Sequence, residues 1–276
     1  MANFLPLKHY MFYCLDRFIE RYALLGPFLE IGCGRGDVSA YLAQKGWRGL
    51  AIDFSDSAVA AASANLAAYP GVTVRKHALS EVTGAYRSVI MWDVLEHIED
   101  DDGALRTIEA LLEPGGQLLI AVPSNPREWR WDDDFYGHWR RYTVADLTAK
   151  LEKAGMPPRV FWDFTYPVFW LMRRTYTRLK SGPAVVADKE TSIKASATRN
   201  AWETPLLSKL LERTAILWYP IHRLQFRLFR HATERGHEFF ALAQKPVRAH
   251  EQPLREATNR TADVSGARIA PSRAAG

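Results

Sequence analysis

Leu29-Glu30-Ile31-Gly32-Cys33-Gly34-Arg35-Gly36-Asp37-Val38-Ser39 joins a short apolar run to a helix-forming stretch through three glycines at alternate positions. A strand that enters a glycine loop and leaves it as a helix is the setting in which such a loop is informative, because glycine lets the backbone approach a ligand without a Cβ collision. A second apolar run closes on Ala51-Ile52-Asp53. Its carboxylate follows the loop at a spacing suited to gripping the two hydroxyls of a ribose in a doubly wound fold. A dinucleotide fingerprint would need its third glycine at position 37, where Asp37 would repel a phosphate. Glu30 and Asp37 bracket the loop with carboxylates, which suits a cationic ligand such as S-adenosylmethionine, a carrier of a sulfonium and an ammonium.

The same alternation continues along the chain. Strands are predicted at 28–31, 49–53, 72–77, 87–92, 117–122, 159–164 and 237–244, and helices at 37–45, 56–68, 103–112 and 143–154, after an amphipathic opening helix over 9–25. Strands alternating with helices imply an α/β fold built on a parallel sheet. Leu112-Glu113-Pro114-Gly115-Gly116 reads as a helix stop and a turn into the next strand. After Phe164 the pattern changes to an aromatic and basic stretch. A small, polar linker is expected over 181–199 and a second amphipathic stretch over 206–230, with Pro220 as a break or kink. The tail from 247 to 276 has few large apolar groups and is expected to be disordered.

Composition narrows the class. With 276 residues, 47% of them hydrophobic and 24% charged, wholesale disorder, collagen and a disulfide scaffold are excluded. Two cysteines, Cys14 and Cys33, suit a reduced cytoplasmic setting. The first residues lack a signal-peptide pattern, so export is not expected. The longest uncharged apolar runs, 164–172 and 214–222, fall short of the roughly 18 residues that span a bilayer. Residues 1–155 carry a net charge of −5 and residues 156–276 a net charge of +10. Such a split suggests an acidic catalytic body joined to a basic appendage suited to an anionic lipid surface, a phosphorylated substrate or nucleic acid.

Four stretches in register, LEIGCGRGDVS, AIDFSDSAV, MWDVLEHIEDDDGALRTIEALLEPGGQLLIAVPS and GHWRRYTVADLTAKLEKAGM, resemble the class I S-adenosylmethionine-dependent methyltransferases, in the subgroup that includes the ubiquinone-biosynthesis O-methyltransferases. The resemblance implies a Rossmann-like, seven-stranded, mostly parallel sheet whose last strand lies antiparallel between its neighbours. It divides the chain into an N-terminal helix (1–25), a cofactor-binding domain (26–166 and 236–246) and an inserted helical cover (167–235). It places Glu30, Gly32, Cys33, Gly34 and Gly36 around the methionyl part of S-adenosylmethionine, Asp53 on the ribose, and Phe54 and Ser55 beside the adenine. Ala78 and Leu79 would line the adenine edge, with His77 where the family often has an acid. Trp92, Asp93, Val94 and Leu95 would close the floor.

Methyl transfer from a sulfonium is an in-line displacement, so most of the protein's task is alignment and exclusion of water, worth about 7–11 kcal/mol. A hydroxyl acceptor must also lose a proton, and a positioned base contributes about 10²–10⁴-fold. His97 and His138 stand where the resemblance opens the active site, and imidazole suits that role near neutral pH. Trp129, Tyr136, Arg140 and Tyr142 are the expected substrate contacts in an aromatic loop suited to a flat or apolar acceptor. No metal is assigned, although some relatives hold one at the positions of Asp93, Glu96 and His97; the 99–102 acidic run reads as a helix cap. The expected activity is O-methylation of a small or lipid-like acceptor, with N- or C-methylation and a non-catalytic cofactor-binding role as the alternatives. Basic amphipathic stretches at 160–180 and 203–231 suit a membrane surface or a roof over an apolar pocket. No nucleic-acid module is apparent.

Overall fold

The computed structural model describes residues 6–180 and 214–247. The expected linker, the first part of the 206–230 stretch and the tail beyond 247 lie outside them. Seven strands form one sheet: β1 (Phe28–Ile31), β2 (Gly49–Asp53), β3 (Val72–Lys76), β4 (Tyr86–Trp92), β5 (Leu112–Pro123), β6 (Pro158–Asp163) and β7 (Glu238–Gln244), in the order β3-β2-β1-β4-β5-β7-β6. The first five run parallel, and β7 is antiparallel to both β5 and β6. The expected doubly wound sheet is therefore observed, with its strand order reversing beside β1, where open α/β sheets bind ligands.

Alternate residues face opposite layers, as the twofold period of a strand requires. Ile90, Leu119, Ala121, Phe240 and Leu242 pack under α1 (Pro6–Tyr22), α2 (Asp37–Gln44) and α3 (Asp56–Leu66). Val89, Met91, Leu118, Ile120, Phe239 and Ala241 face α4 (Asp101–Leu111) and α6 (Val144–Lys153), with the short α5 (Trp131–Tyr136) between them in sequence. Two further helices, α7 (Val168–Leu179) and α8 (Ala215–Phe229), meet α1: Tyr10 stacks 4.9 Å from His222 and 5.8 Å from Phe169. Trp162 is the anchor of this side, 3.9 Å from Phe18 and 5.0 Å from Phe226 between ring centres. A side chain of that size contributes roughly 3 kcal/mol when buried.

Several boundaries differ from expectation for local reasons. The opening helix begins at Pro6, whose missing N–H is tolerated in a first turn, and it is over before Ala23, which takes a left-handed φ of 52°. Pro220 lies inside α8 and does not end it. The 113–116 segment turns as expected, with Gly115 at φ 79°, but it folds as a bulge within β5: Leu112 pairs with Tyr86 and Gln117 with Ser88. In the acidic run, Asp100 caps α4 by accepting from the Gly103 amide at 2.8 Å.

Candidate active site

A cavity of about 780 Å³ opens over the C-terminal ends of β1, β2 and β4. Gly32, Gly34 and Gly36 take φ of 68°, 51° and 72°, a region that a residue with a Cβ rarely adopts. The Gly34 amide donates to Asp53 Oδ2 at 2.9 Å and the Ser55 amide to Asp53 Oδ1 at 2.9 Å. Each carboxylate oxygen thus holds one backbone donor and keeps acceptor capacity for a ligand hydroxyl. This loop fits S-adenosylmethionine: it has a close backbone approach, an oriented diol acceptor and a buried acid.

That acid is Glu30. It accepts from the amide of Ser39 at 2.9 Å and from its hydroxyl, and burial pushes its carboxyl up to about 7 against the pull of those hydrogen bonds. Among the described residues no cation pairs with it, whereas Asp37, the other bracketing acid, is paired with Lys8 of α1. The loop therefore offers one unpaired carboxyl to a cationic ligand, not two. A cation beside Glu30 favours its ionised form, so binding releases a proton and tightens with rising pH until the free-state value near 7 is passed. S-adenosylmethionine affinity should rise by roughly tenfold or more between about pH 5.5 and 7. Calorimetry at several pH values should find this slope, and Glu30→Gln should flatten it.

Deeper in the cavity lies a dense set of ionisable groups. Asp93 leaves β4 with φ 54°, a strained value for this residue, and among the described residues its Oδ1 and both oxygens of Glu96 are buried without a hydrogen-bond partner. Burial, then the neighbouring Glu238 charge, raises the Asp93 carboxyl well above the usual range, and burial raises Glu96 likewise. Glu238, at the start of β7, is pushed up to about 7 by burial. His97 is driven down to about 3 by burial and by His138, whose ring lies 4.9 Å away, edge to face.

Asp133 is the ionised acid of the group. Its Oδ1 meets His138 Nδ1 at 2.9 Å and Arg141 Nε at 2.8 Å, and its Oδ2 accepts from Arg173 Nη2 at 2.9 Å and the Arg130 amide at 2.8 Å. Burial opposes ionisation here, but the His138 hydrogen bond and the two arginines outweigh it and hold the carboxyl below the usual carboxylate range. A carboxylate only accepts, so His138 Nδ1 carries the hydrogen of this bond and Nε2 is the ring's other nitrogen. That Nε2 lies 4.0 Å from Glu96 Oε1. Ligand atoms of Glu96, His97 and His138 lie within 4.8 Å of one another, a set that could hold a metal ion; His138 takes the place that the sequence suggested for Asp93.

Most expected cofactor residues line the cavity: Glu30, Gly32, Cys33, Gly34, Asp53 and Phe54 from the loop and β2, and His77, Ala78, Leu79, Trp92, Asp93 and Val94 beyond them. Gly36, Ser55 and Leu95 do not line it. Gly36 turns the loop, its amide donating to Cys33 O at 2.7 Å, Ser55 steadies Asp53, and Leu95 is fully buried in the core below. Near His77, Glu81 lies 3.7 Å from His77 Nδ1 and accepts from the Ala78 amide at 2.6 Å, outside the cavity lining. Of the substrate candidates only Tyr136 lines the cavity, together with His97 and His138. Trp129 binds Asp134, Arg140 pairs with Asp101, and the Tyr142 hydroxyl donates to Asp101 at 2.9 Å inside the core. Those side chains are corrected from acceptor contacts to braces of the loop: Asp134 holds Trp129, the inward Asp101 holds Arg140 and Tyr142, and none of the three lines the cavity.

Sequence reading missed Lys8, Met11 and Phe12, which bring α1 over the cavity, and Arg141, Arg173, His237 and Glu238, which enclose its far end. The Asp132-Asp133-Asp134 run was a visible signal, but its inward turn depends on arginines 8 and 40 positions from Asp133.

Similar proteins bear on this geometry. A family model described as a methyltransferase domain matches residues 7–156. A ubiquinone biosynthesis O-methyltransferase from Sodalis glossinidius is 32% identical over 137 residues, 46% of this chain and 55% of that protein. The chain spans about half the length of the curated relatives it matches. In fold it is similar to a putative sarcosine dimethylglycine methyltransferase from Galdieria sulphuraria, with a TM-score of 0.56, 14% identity and 87% and 86% of the two chains covered. It is also similar to an N-methyltransferase from Bradyrhizobium japonicum bound to S-adenosyl-L-homocysteine, with a TM-score of 0.52, 13% identity and 87% and 88% covered. A match over more than half of the chain, the sheet order and the glycine loop agree, and the chain belongs to the class I S-adenosylmethionine-dependent methyltransferase family.

Proposed function

We propose that this protein transfers a methyl group to a hydroxyl of a small or lipid-like acceptor. The observation that carries the reading is the Asp133–His138 pair, an oriented base on the wall of the cavity that also contains the glycine loop and Asp53. S-adenosylmethionine supplies, when bound, a methyl already activated by its sulfonium. Asp53 and the loop hold its nucleoside and methionyl parts, and Phe54 with Ala78 and Leu79 encloses the adenine. His138 Nε2 takes the acceptor's proton, and Asp133 keeps the ring in the tautomer that allows it. His97, uncharged, packs against His138 and shapes the pocket around the acceptor. Met11, Phe12 and Phe169 roof the cavity and exclude water, which favours an apolar acceptor. Supply from a membrane surface through α7 and α8 belongs to the same reading.

A second reading rests on the convergence of Glu96, His97 and His138. One carboxylate and two imidazoles suit a first-row divalent ion, which would lower the pKa of an acceptor hydroxyl. Chelator-treated protein that keeps full turnover would remove this reading. Retained turnover with both histidines replaced would remove the base.

Titration calorimetry with S-adenosylmethionine, S-adenosylhomocysteine and NADH tests the foundation. The first two should bind and NADH should not. Asp53→Ala removes an acceptor for two ribose hydroxyls and should cost about 2–4 kcal/mol, roughly 30- to 1,000-fold in affinity. Silence toward both sulfur ligands in a folded protein overturns the proposal. With binding in place, hydroxylated quinone precursors, phenols and amines are the acceptors to compare, and methylation confined to amines would replace the hydroxyl.

A further inference from the structure

We infer that the outward face of α7 and α8 docks on an anionic phospholipid surface and that the acceptor reaches the cavity from it. The inner face of α8 is occupied: Trp218 meets Phe169, His222 meets Tyr10, and Phe226 meets Tyr13 and Trp162. Its outer face should then be polar, as on an ordinary surface helix. It is apolar. Leu217, Ile221, Leu224 and Leu228 recur at helical spacing and are 61%, 37%, 58% and 58% exposed. On α7, Leu171, Met172 and Leu179 are exposed as well. With Tyr219, these two helices carry eight of the thirteen exposed large hydrophobic side chains among the described residues, so the exposure is a patch and not scatter.

Charge selects the occupant. Residues 166–180 and 214–233 contain no Asp or Glu, and Arg178, Lys180, Arg223 and Arg227 are exposed beside the leucines. An apolar stripe that carries cations and no acid on its own two helices, among the described residues, is the composition of a helix that lies in the headgroup layer and is drawn to anionic lipid. A second copy of the chain is a poorer fit, because a twofold contact through this face would set these arginines against their own symmetry mates. Met172 ties the surface to the site: it is 40% exposed, it belongs to the α7 groove with Leu171 and Leu179, and it also lines the large cavity beside Arg173. An apolar acceptor leaving a bilayer at this face would meet the cavity wall without crossing water. The delivery step rests on the lipid-like acceptor proposed above, whereas the docking does not.

Flotation of the full chain with phosphatidylcholine vesicles and with vesicles of equal phosphatidylcholine and phosphatidylglycerol tests the docking. Binding to the anionic vesicles should exceed binding to the neutral ones by about tenfold or more and should weaken at high salt. The double variant Leu224→Asp with Leu228→Asp, and separately Arg223→Glu with Arg227→Glu, should each lose about tenfold or more, with S-adenosylhomocysteine affinity unchanged as proof of fold. Absent binding, equal binding to both vesicles, or variants that bind like the parent overturn the inference. So does a concentration-dependent dimer that Leu224→Asp dissolves, which would give the face to a second copy. Vesicle binding by a chain that ignores S-adenosylhomocysteine would overturn the methyltransferase reading and leave the docking standing.

Discussion

Gly32→Ala is expected to abolish cofactor binding while leaving a folded but weakened protein. A Cβ at this position would stand 2.5 Å from Val94 Cγ2 and 3.0 Å from Val94 Cγ1, closer than atoms pack, and the backbone sits at φ 68°. The left-handed conformation costs an alanine about 1–2 kcal/mol, and overpacking costs about 1–3 kcal/mol more. The sum corresponds to a fall in melting temperature of roughly 5–15 °C for a chain of this size. Relief by moving the loop would carry the Gly34 amide off Asp53, so affinity for S-adenosylhomocysteine should fall by about 100-fold or more. Adding Val94→Ala separates the two causes. It removes the collision and leaves the backbone strain, so part of the melting temperature should return. Unchanged calorimetry in Gly32→Ala would show that the loop does not approach the ligand.

Asp133→Asn is expected to have the largest effect on turnover. The carboxylate holds His138 Nδ1 at 2.9 Å, and an amide can place either an acceptor or a donor there. Loss of the oriented base should lower kcat by about 10²–10⁴-fold with S-adenosylhomocysteine affinity nearly intact, since Asp53 and the loop are untouched. Stability should fall too, because Arg141 and Arg173 lose a shared buried partner, at about 3–5 kcal/mol for a broken buried pair. Asp133→Glu keeps the charge and displaces it. If Asp133→Glu folds like the parent yet remains as slow as Asp133→Asn, the geometry of the pair matters and not its charge alone. Turnover at the parental rate in Asp133→Asn would remove His138 from the chemistry.

Legibility followed the range of the interactions. The glycine loop, the strand that ends at Asp53 and the helix starts at Asp100 and Thr143 depend on neighbours within a few positions, and each was readable as a local pattern. His97 and His138 were found through motif positions, and they do meet. The substrate contacts were less legible. Trp129, Arg140 and Tyr142 look like recognition residues by type, but Asp101 and Asp134 claim them, and nothing local says which way an aspartate turns.

By itself the sequence determined the sheet, its glycine loop and the acid at the end of the second strand, because hydrophobic period and turn chemistry act over a few residues. Only the tertiary structure decided what surrounds that loop. It brought Lys8 to Asp37 across 29 positions, Arg173 to Asp133 across 40 and the His237 carbonyl to Arg141 across 96. Each of these meetings is set by how helices and strands distant in sequence pack together. Burial and ionic partners then set the charge states: two arginines and His138 hold the Asp133 carboxyl below the usual range against burial, while burial without such partners raises Asp93 and Glu96. A buried charge survives only where a partner offsets its lost hydration, and partners are assigned by the fold.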